Sequence, residues 1–584
     1  MQFRFKAFIL VGLLTVLLAS VLNLDRPNQI LSQEAIASNN NTKIVVNQVG
    51  YLPQWQKTAF LLNNQKSTSH PQLIDRNTRK VVRTINPGTE IQDIATPDAI
   101  STIDFSDITQ PGTYYLRQGK LTSAPFNIGT DIYEQPLITL LRSYYLQRCG
   151  VAIDDPITGI SHPPCHVKDG ALAHQDKYNS AGESITASGG WHDAGDYGKY
   201  VTTTAVTIAR LLNLYEQYPN LFPDSQLTIP ESGNGVSDLL DEMQFGLDWM
   251  LTMQREDGAV YRKLSGEKWP FGVSPDEDIQ PRYVYGITTP ETAKFSALMA
   301  LASRNFKEVN PELAGKYLSA AESAWQYLAT QPTMKVDWVE GDDRGSGKYL
   351  ASADDREASL TTDVDDRLWA AAELYITTGK SAFNDYFTKH LNEVDYTLFE
   401  WKDPSALALI NYLKQNRQTV APEIVINIET KIKQRADLIL DRVENSTYNI
   451  ANHLFIWGSN KMTAEEGITL VYAYQLTKNN DYLNAAIDQL DYLLGRNHFN
   501  QTFITGIGTN PVKHVNHLFA RAKNIYIPGL VVGGANSDAQ DNKVAKNLGQ
   551  LSYIDSEESY ATNEYAIDYN ASVISLIVNL LTNS

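Results

Sequence analysis

Only two of the 584 residues are cysteine, Cys149 and Cys165. A fold stapled by a disulfide framework is excluded, and at most one bridge can form; in an exported chain that single bridge is the ordinary reading. Positive charge is short as well: 49 lysines and arginines face 67 aspartates and glutamates, for a net charge of −18. Nucleic acid and anionic membrane surfaces want a basic face, so neither suits this chain as a main partner, whereas a neutral substrate does. Strand-helix alternation is missing, which disfavours a doubly wound sheet. One apolar run stands at the N-terminus, residues 8–22, behind Arg4 and Lys6. No cysteine follows it, so attachment of the bacterial lipoprotein type lacks support. Ala35-Ile36-Ala37 has the small-x-small pattern of a cleavage site. These features predict a signal peptide over 1–37 and a secreted or periplasmic protein without stable membrane association. An uncleaved anchor is the alternative, although the run is somewhat short for a span.

What is present is the composition of an ordinary globular protein, 43% hydrophobic and 20% charged, in a chain long enough for more than one domain. There are 31 tyrosines and 9 tryptophans. Most serve a core, but a surplus of such rings also suits flat apolar faces such as sugars. Over 43–130 the texture is β. Short runs at 44–46, 58–62, 80–85, 113–116 and 124–128 are separated by glycine, proline and asparagine turns, which predicts a small immunoglobulin-like β-sandwich. From 133 to 584 the helical period takes over. Leu137, Leu140, Leu141 and Tyr144 share one face; Leu240, Met243, Leu247 and Met250 share another; Leu483, Ile487, Leu490 and Leu494 a third. Similar segments fall near 201–215, 290–304, 313–329, 366–377, 431–443 and 463–477. The fold class is mainly α, with long loops of the kind that carry function.

One such loop, 189–200, packs Asp193, Asp196, His192, three aromatic residues and four glycines into twelve positions. A turn or a helix start would point both aspartates the same way. Like carboxylates held close repel, and such pairs are common in catalytic sites; a Gly-Asp turn on an acidic surface is the plain alternative. A second acidic cluster lies near the C-terminus, with Asp555, Glu564 and Asp568 among Tyr553, Tyr560 and Tyr565. Glu564 is expected to open the last apolar helix, where it could simply offset the helix dipole. Partnership gives it more meaning, because hydrolysis of a glycosidic bond needs one protonated and one ionised carboxyl group.

In this order the stretches resemble glycoside hydrolase family 9, the inverting cellulases built on a helical barrel, often behind an immunoglobulin-like domain. The likeness is carried by Val46-Asn47-Gln48-Val49-Gly50-Tyr51-Leu52-Pro53, by the 189–200 loop, by Trp457-Gly458-Ser459-Asn460 and by Tyr492-Leu493-Leu494-Gly495-Arg496-Asn497. The C-terminal pattern of Tyr553, Asp555, Tyr560, Glu564, Ala566, Asn570 and Ala571 completes it. The resemblance implies an (α/α)6 barrel over 133–584 and cleavage of β-1,4-glucosidic bonds in cellulose or related β-glucans. It implies Glu564 as general acid, Asp196 as general base and Asp193 as a holder of the attacking water. Trp191, Tyr197, Asn516 and Tyr560 would contact substrate. Cys149, Cys165, His166 and His192 match the four zinc ligands of family members that carry the N-terminal domain. Two thiolates and two imidazoles make a closed tetrahedral set, against the alternative of a Cys149–Cys165 disulfide. Calcium is common in the family, and Asp342-Asp343 and Asp354-Asp355 offer oxygen ligands without defining a site. No organic cofactor is implied.

The chain departs from the family at a His-x-Arg element that contacts the sugar. The matching positions are Asn516 and Leu518, with His514 and His517 as nearby substitutes. Losing an arginine fork leaves polar sugar groups unpaired, at about 1–3 kcal/mol each. Exo-acting glucosaminidases and oligosaccharide glucosidases of the same family are therefore alternatives, an acidic cleft suiting an amino sugar. A non-catalytic carbohydrate-binding relic is the alternative of a different class, opposed by retention of Asp193, Asp196 and Glu564. An α/α-barrel lyase would prefer a basic cleft. No dockerin-like repeat or separate cellulose-binding module is read.

Overall fold

Short β-branched and aromatic runs give ten strands between Lys43 and Ile128 in the computed structural model, which describes residues 42–63, 69–346, 362–416 and 420–583. The expected signal peptide and its cleavage site lie outside the described residues. The strands are β1 (Lys43–Val45), β2 (Gly50–Tyr51), β3 (Thr58–Leu62), β4 (Gln72–Asp75), β5 (Val81–Thr84), β6 (Ile91–Gln92), β7 (Ala99–Asp104), β8 (Gly112–Gln118), β9 (Leu121–Thr122) and β10 (Phe126–Ile128). One sheet runs β1-β3-β7-β6 and the other β2-β10-β8-β4-β5, with β9 hairpinned to β8. All pairings are antiparallel except β2 with β10. Ile103, Phe105, Leu116 and Phe126 fill the space between them. This is the immunoglobulin-like sandwich that the sequence predicted.

The Val46–Pro53 motif forms the joint between this sandwich and the helices. Asn47 Oδ1 accepts from the N–H groups of Val49 and Gly50, while its Nδ2 donates to Asp491 Oδ1 at 2.9 Å. Gln48 donates its backbone N–H to Leu494 O at 2.8 Å, and its Oε1 accepts from Asn510 N–H at 2.8 Å. Gly50 has φ +132°, and a Cβ there would lie 1.9 Å from Asn127 O, so only glycine fits.

Twelve helices of ten or more residues follow among the described residues: α1 (Glu134–Leu146), α2 (Val201–Gln217), α3 (Asp238–Thr252), α4 (Thr289–Phe306), α5 (Pro311–Thr330), α6 (Val364–Thr378), α7 (Ser381–His390), α8 (Ser405–Asn416), α9 (Pro422–Glu444), α10 (Ser459–Thr477), α11 (Asn480–Leu493) and α12 (Ile567–Thr582). The even-numbered ones are buried nearly all round and form the inner ring. Each packs on the next, from α2 through α4 and α6 to α8 and from α10 through α12 back to α2, with α9 bridging α8 and α10. The odd-numbered helices are amphipathic and form the outer layer, the division expected of the two burial patterns. Local chemistry sets the ends. Thr288 Oγ1 accepts from Glu291 N–H ahead of α4, Asn310 caps α5 before Pro311, and Gly379 closes α6 in the left-handed conformation. Six inner and six outer helices make the (α/α)6 barrel.

Besides the two-stranded pair of Ile153–Asp154 with Ser161–His162, one four-stranded sheet interrupts the helical pattern: β11 (Ala171–Leu172), β12 (Lys199–Tyr200), β13 (Val260–Gly266) and β14 (Arg282–Thr288), in the order β11-β14-β13-β12. It lies at one mouth of the barrel, and its last strand ends the 189–200 loop.

Candidate active site

Backbone hydrogen bonds knit three distant segments into one surface. Ala194 bridges Ala566 and Asn516 bridges Glu564 as isolated β-pairs. Leu518 N–H donates to Gly195 O at 2.7 Å, Ile567 N–H to Asp193 O at 2.8 Å, and Gly533 N–H to Glu564 O at 2.8 Å. A Cβ on Gly195 would lie 2.2 Å from Asn516 O, so the aspartate loop can approach only because this position is glycine. Glu564 does not open the last helix as expected. Its φ and ψ are −77° and 141°, extended, in the link between the short helix Tyr560–Asn563 and α12. The extended link lets its side chain turn to the aspartates rather than lie along a helix.

Asp193, Asp196 and Glu564 all line one cleft of about 1310 Å³. Asp193 Oδ1 accepts from the Thr203 hydroxyl. Asp196 Oδ2 accepts from the Tyr200 hydroxyl at 3.0 Å, while its buried Oδ1 has no hydrogen-bond partner among the described residues. Burial pushes Glu564 well above the ordinary carboxylic range, the charges of Asp196 and Asp193 push it further, and Gly195 N–H opposes. Burial also raises Asp196, but the Tyr200 hydroxyl, Gly198 N–H, and the charges of Arg282 and Lys263 pull it back. Asp193 is raised well above its usual value by burial and by Asp568, which itself pairs with Lys461 at 2.9 Å. All three carboxyls are raised, Glu564 and Asp193 well above the usual range and Asp196 less, so Asp196 is the readiest to ionise opposite a protonated Glu564, the division of labour that glycosidic hydrolysis requires.

Aromatic rings stand around these acids. Trp269, Phe271, Trp338 and Tyr560 line the cleft with exposed surface, and Trp401 and Trp457 line it deeper. Asn516 and Tyr560 are in the lining. Trp191 and Tyr197, expected on the substrate, are corrected by the structure. Trp191 is fully buried with Nε1 donating to Glu242 Oε1 at 2.8 Å, and Tyr197 packs on His192 with its hydroxyl donating to Val273 O at 2.7 Å. Neither ring borders the cleft: Trp191 is held by Glu242 of α3 and Tyr144 of α1, and Tyr197 packs against the His166–His192 pair behind the loop. Tyr200, Thr203 and Lys263 were missed. Tyr200 belongs to the motif already singled out, whereas the other two carry no sequence signal.

The His-x-Arg departure is not filled from nearby histidines. His517 caps the short helix Leu518–Lys523, and its Nε2 lies 3.0 Å from Gln147 Nε2, away from the cleft. His514 is exposed, with its N–H donated to Asp555. Leu518 does line the cleft, and Arg262, Lys263, Arg344 and Lys402 line it from other segments. The same lining holds Asp193, Asp196, Glu291, Asp343, Glu564 and Asp568, and burial lowers Lys263 to about 7, so both signs of charge meet in the cleft.

Behind the aspartate loop sit Cys149, Cys165, His166 and His192, whose ligand atoms all lie within 4.8 Å of one another. Both cysteines are free thiols. His192 Nε2 and His166 Nδ1 are 3.3 Å apart, and the sulfur–nitrogen distances are 3.6 Å for Cys149–His166 and 3.9 Å for Cys165–His192. A tetrahedral site with ordinary Zn–N and Zn–S bonds has edges of about 3.3 Å and about 3.6 Å respectively, so the cluster can hold a metal ion as it stands. His166 Nε2 lies 3.3 Å from Asp278, the outer carboxylate that such a histidine commonly engages. Burial lowers His192 to about 4, which keeps it in the neutral, ligating form. At the acidic loops, Asp342 accepts from Val339 N–H at 3.0 Å and lies 2.6 Å from His174 Nε2, and Asp343 accepts from Trp338 Nε1 at 3.1 Å. Asp354 and Asp355 lie outside the described residues.

Comparison with known proteins agrees with this geometry. Glycosyl hydrolase family 9 matches residues 133–577, and the cellulase N-terminal ig-like domain matches 39–123. Endoglucanase D of Acetivibrio thermocellus is 30% identical over 545 residues, covering 91% of this chain and 82% of that protein. The xyloglucan-specific endo-beta-1,4-glucanase BoGH9A of Bacteroides ovatus is 31% identical over 580 residues, covering 94% and 97%. Among solved structures, a metagenome-derived glycoside hydrolase family 9 endoglucanase superposes with a TM-score of 0.86 at 40% identity, covering 92% of this chain and 99% of that one. A Zn-binding triple mutant of the family 9 endoglucanase J30 superposes at 0.84 with 34% identity, covering 91% and 100%. With the acids gathered in one cleft, the barrel and its sandwich in place, and the match running through both, the chain belongs to glycosyl hydrolase family 9.

Proposed function

We propose that this protein is an inverting endo-β-1,4-glucanase acting on cellulose or a related β-glucan, with Glu564 as acid and Asp196 as base. The observation that carries this is the asymmetry of the carboxyls in one cleft. Glu564 is buried opposite two aspartates and keeps its proton, while Asp196 has one oxygen tied to Tyr200 and the other without a protein partner. Glu564 protonates the departing glycosidic oxygen. Asp196 takes a proton from the attacking water, and Asp193 helps to hold that water. Rings along the cleft supply the flat faces on which glucosyl units stack. The relatives named for endoglucanase activity, each matched over most of its length, support glucan as the substrate class.

In the same reading Cys149, Cys165, His166 and His192 hold a structural zinc ion. When bound, zinc closes the four ligands into one node and clamps the start of the aspartate loop. The N-terminal pattern at 1–37 adds export to a secreted or periplasmic location. Among the described residues no helix is long and apolar enough to cross a membrane.

The test is hydrolysis of a soluble β-1,4-glucan. Viscosity should fall early and the new reducing ends should appear as the α-anomer. Asp196→Asn and Glu564→Gln should each lower kcat by about 10²–10⁴-fold with the fold retained. Release of monomer alone, retained β-anomer, or wild-type turnover in either variant would overturn the reading.

A further inference from the structure

A second cavity, of about 970 Å³, lies beside the catalytic cleft and takes no part in the chemistry above. A thin wall separates the two. On the hairpin of β13 and β14, Arg262 and Lys263 line the cleft, and Tyr261 and Val284 line the second cavity. The loop after α5 continues the wall, with Val336 and Val339 on the far side, and Arg344 and Ser346 on the cleft side. Trp338 lines both spaces. It is 36% exposed, and its Nε1 donates to Asp343 Oδ2 at 3.1 Å, which fixes the ring at the junction.

The floor of this cavity is built rather than incidental. Arg255, only 8% exposed, pairs with Asp176 at 3.0 Å and with Asp257 at 2.9 Å. The Tyr261 hydroxyl donates to Asp176 Oδ2 at 2.7 Å. With Lys177, Lys335 and Asp337 also in the lining, three basic side chains face three carboxylates, so the cavity offers hydrogen-bonding groups without a strong field of either sign. That suits a neutral polyhydroxyl ligand better than an ion. Exposed Lys177 and Gln326 add donors at the rim. The volume is that of a ligand site, and an exposed tryptophan at its mouth provides a stacking face.

We propose that this cavity is a second carbohydrate site, which takes the continuation of the same β-glucan chain held in the catalytic cleft as it passes over Trp338. The inference rests on the glucanase reading. It predicts that affinity grows again once a chain is long enough to cross the wall, because the added sugars find new partners rather than solvent.

The experiment compares hydrolysis of unbranched β-1,4-gluco-oligosaccharides of short and long chain length by wild type, by the double variant Lys177→Ala/Gln326→Ala, and by Trp338→Ala. Soaks of Glu564→Gln crystals with the long oligosaccharide locate the chain directly. Wild type should show a higher kcat/KM on the long substrate. The double variant should lose about tenfold of that advantage, mainly in KM, while cleaving the short substrate as wild type does. Trp338→Ala should lower both. Sugar density in the second cavity supports the site. Cleavage of both lengths with equal kcat/KM, or an unchanged long-to-short ratio in the double variant, overturns the second site alone. Failure to cleave either length overturns the glucanase reading and this inference with it.

Discussion

At the scale of single residues, the site works by giving chemically similar carboxyls different surroundings. Glu564 has burial and two neighbouring anions to keep its proton on, with one backbone N–H against them. Asp196 has a hydroxyl, a backbone N–H and two cations to help it ionise. This separation costs stability, and the sign follows from linkage. Glu564 titrates higher in the folded protein than in the unfolded chain. The folded state therefore holds a proton that the unfolded state has released, and stability falls as pH rises from the unfolded value toward the folded one. Glu564→Gln cannot ionise. Its Tm should match that of wild type near the unfolded carboxylate value and exceed it by a margin that widens as pH rises. Tm scans across pH would check this, and a constant difference would contradict it. Tyr200→Phe makes the companion test. Without its hydroxyl donor Asp196 should be harder to ionise, and the acidic limb of kcat/KM should move to higher pH. The two acids and their order along the chain were legible because motif spacing records residue type. Which rings flank the sugar was not. Trp191 and Tyr200 lie nine positions apart in one motif, and only burial tells that the first packs on Glu242 while the second reaches Asp196.

Elements were legible where a period persists. The inner and outer helices repeat apolar faces over three or more turns: the predicted segments fall within α1, α2, α3, α4, α5, α6, α9 and α10, and the face from Leu483 to Leu494 runs one residue past α11. Helices α7 and α8 went unread, the first being only ten residues long. Strand β13 is buried at every position, so it shows no alternation by which to separate it from a core helix. That strand carries Arg262 and Lys263 into the cleft, which is why the cationic side of the site was invisible beforehand. The aspartate loop makes the complementary case, since its anchor could be read from four ligand residues. If zinc holds Cys149, Cys165, His166 and His192, the purified protein should carry about one zinc per chain, and its two thiols should resist modification until a chelator is added. Stripping the metal should lower Tm by several degrees and depress kcat, because His192 adjoins Asp193 in the chain. A metal-free protein with unaltered Tm and activity would refute the clamp.

Across the whole molecule, the joint of sandwich and barrel is built from buried polar groups, and the two should unfold as one cooperative body. Arg496 is its centre. It has no exposed surface, donates to the Thr58 hydroxyl on β3, and lies over the Phe60 ring at 4.5 Å. On the barrel side it pairs with Asp488 at 2.5 Å and faces Asp491 at 3.6 Å. Burial, with the Asp488 charge beside it, raises Asp491 to about 7 even against the pull of Arg496 and of the Asn47 hydrogen bond, so removing the arginine pushes it higher still. Replacing it with alanine leaves two buried carboxyls without their cation and opens a gap against Phe60, a loss of about 3–5 kcal/mol. Arg496→Ala should therefore melt well below wild type, with sandwich and barrel unfolding separately where wild type shows one transition, and the loss should deepen as pH rises and the stranded carboxyls are forced to ionise. Arg496→Lys keeps a charge but not the fork, and should recover only part of the stability. Because Arg496 lines neither cavity, both variants should keep wild-type KM below their melting temperatures. Calorimetry with kinetics on the same samples separates the outcomes. A changed KM with an unchanged Tm would place the joint's influence in the cleft rather than in holding the two domains together.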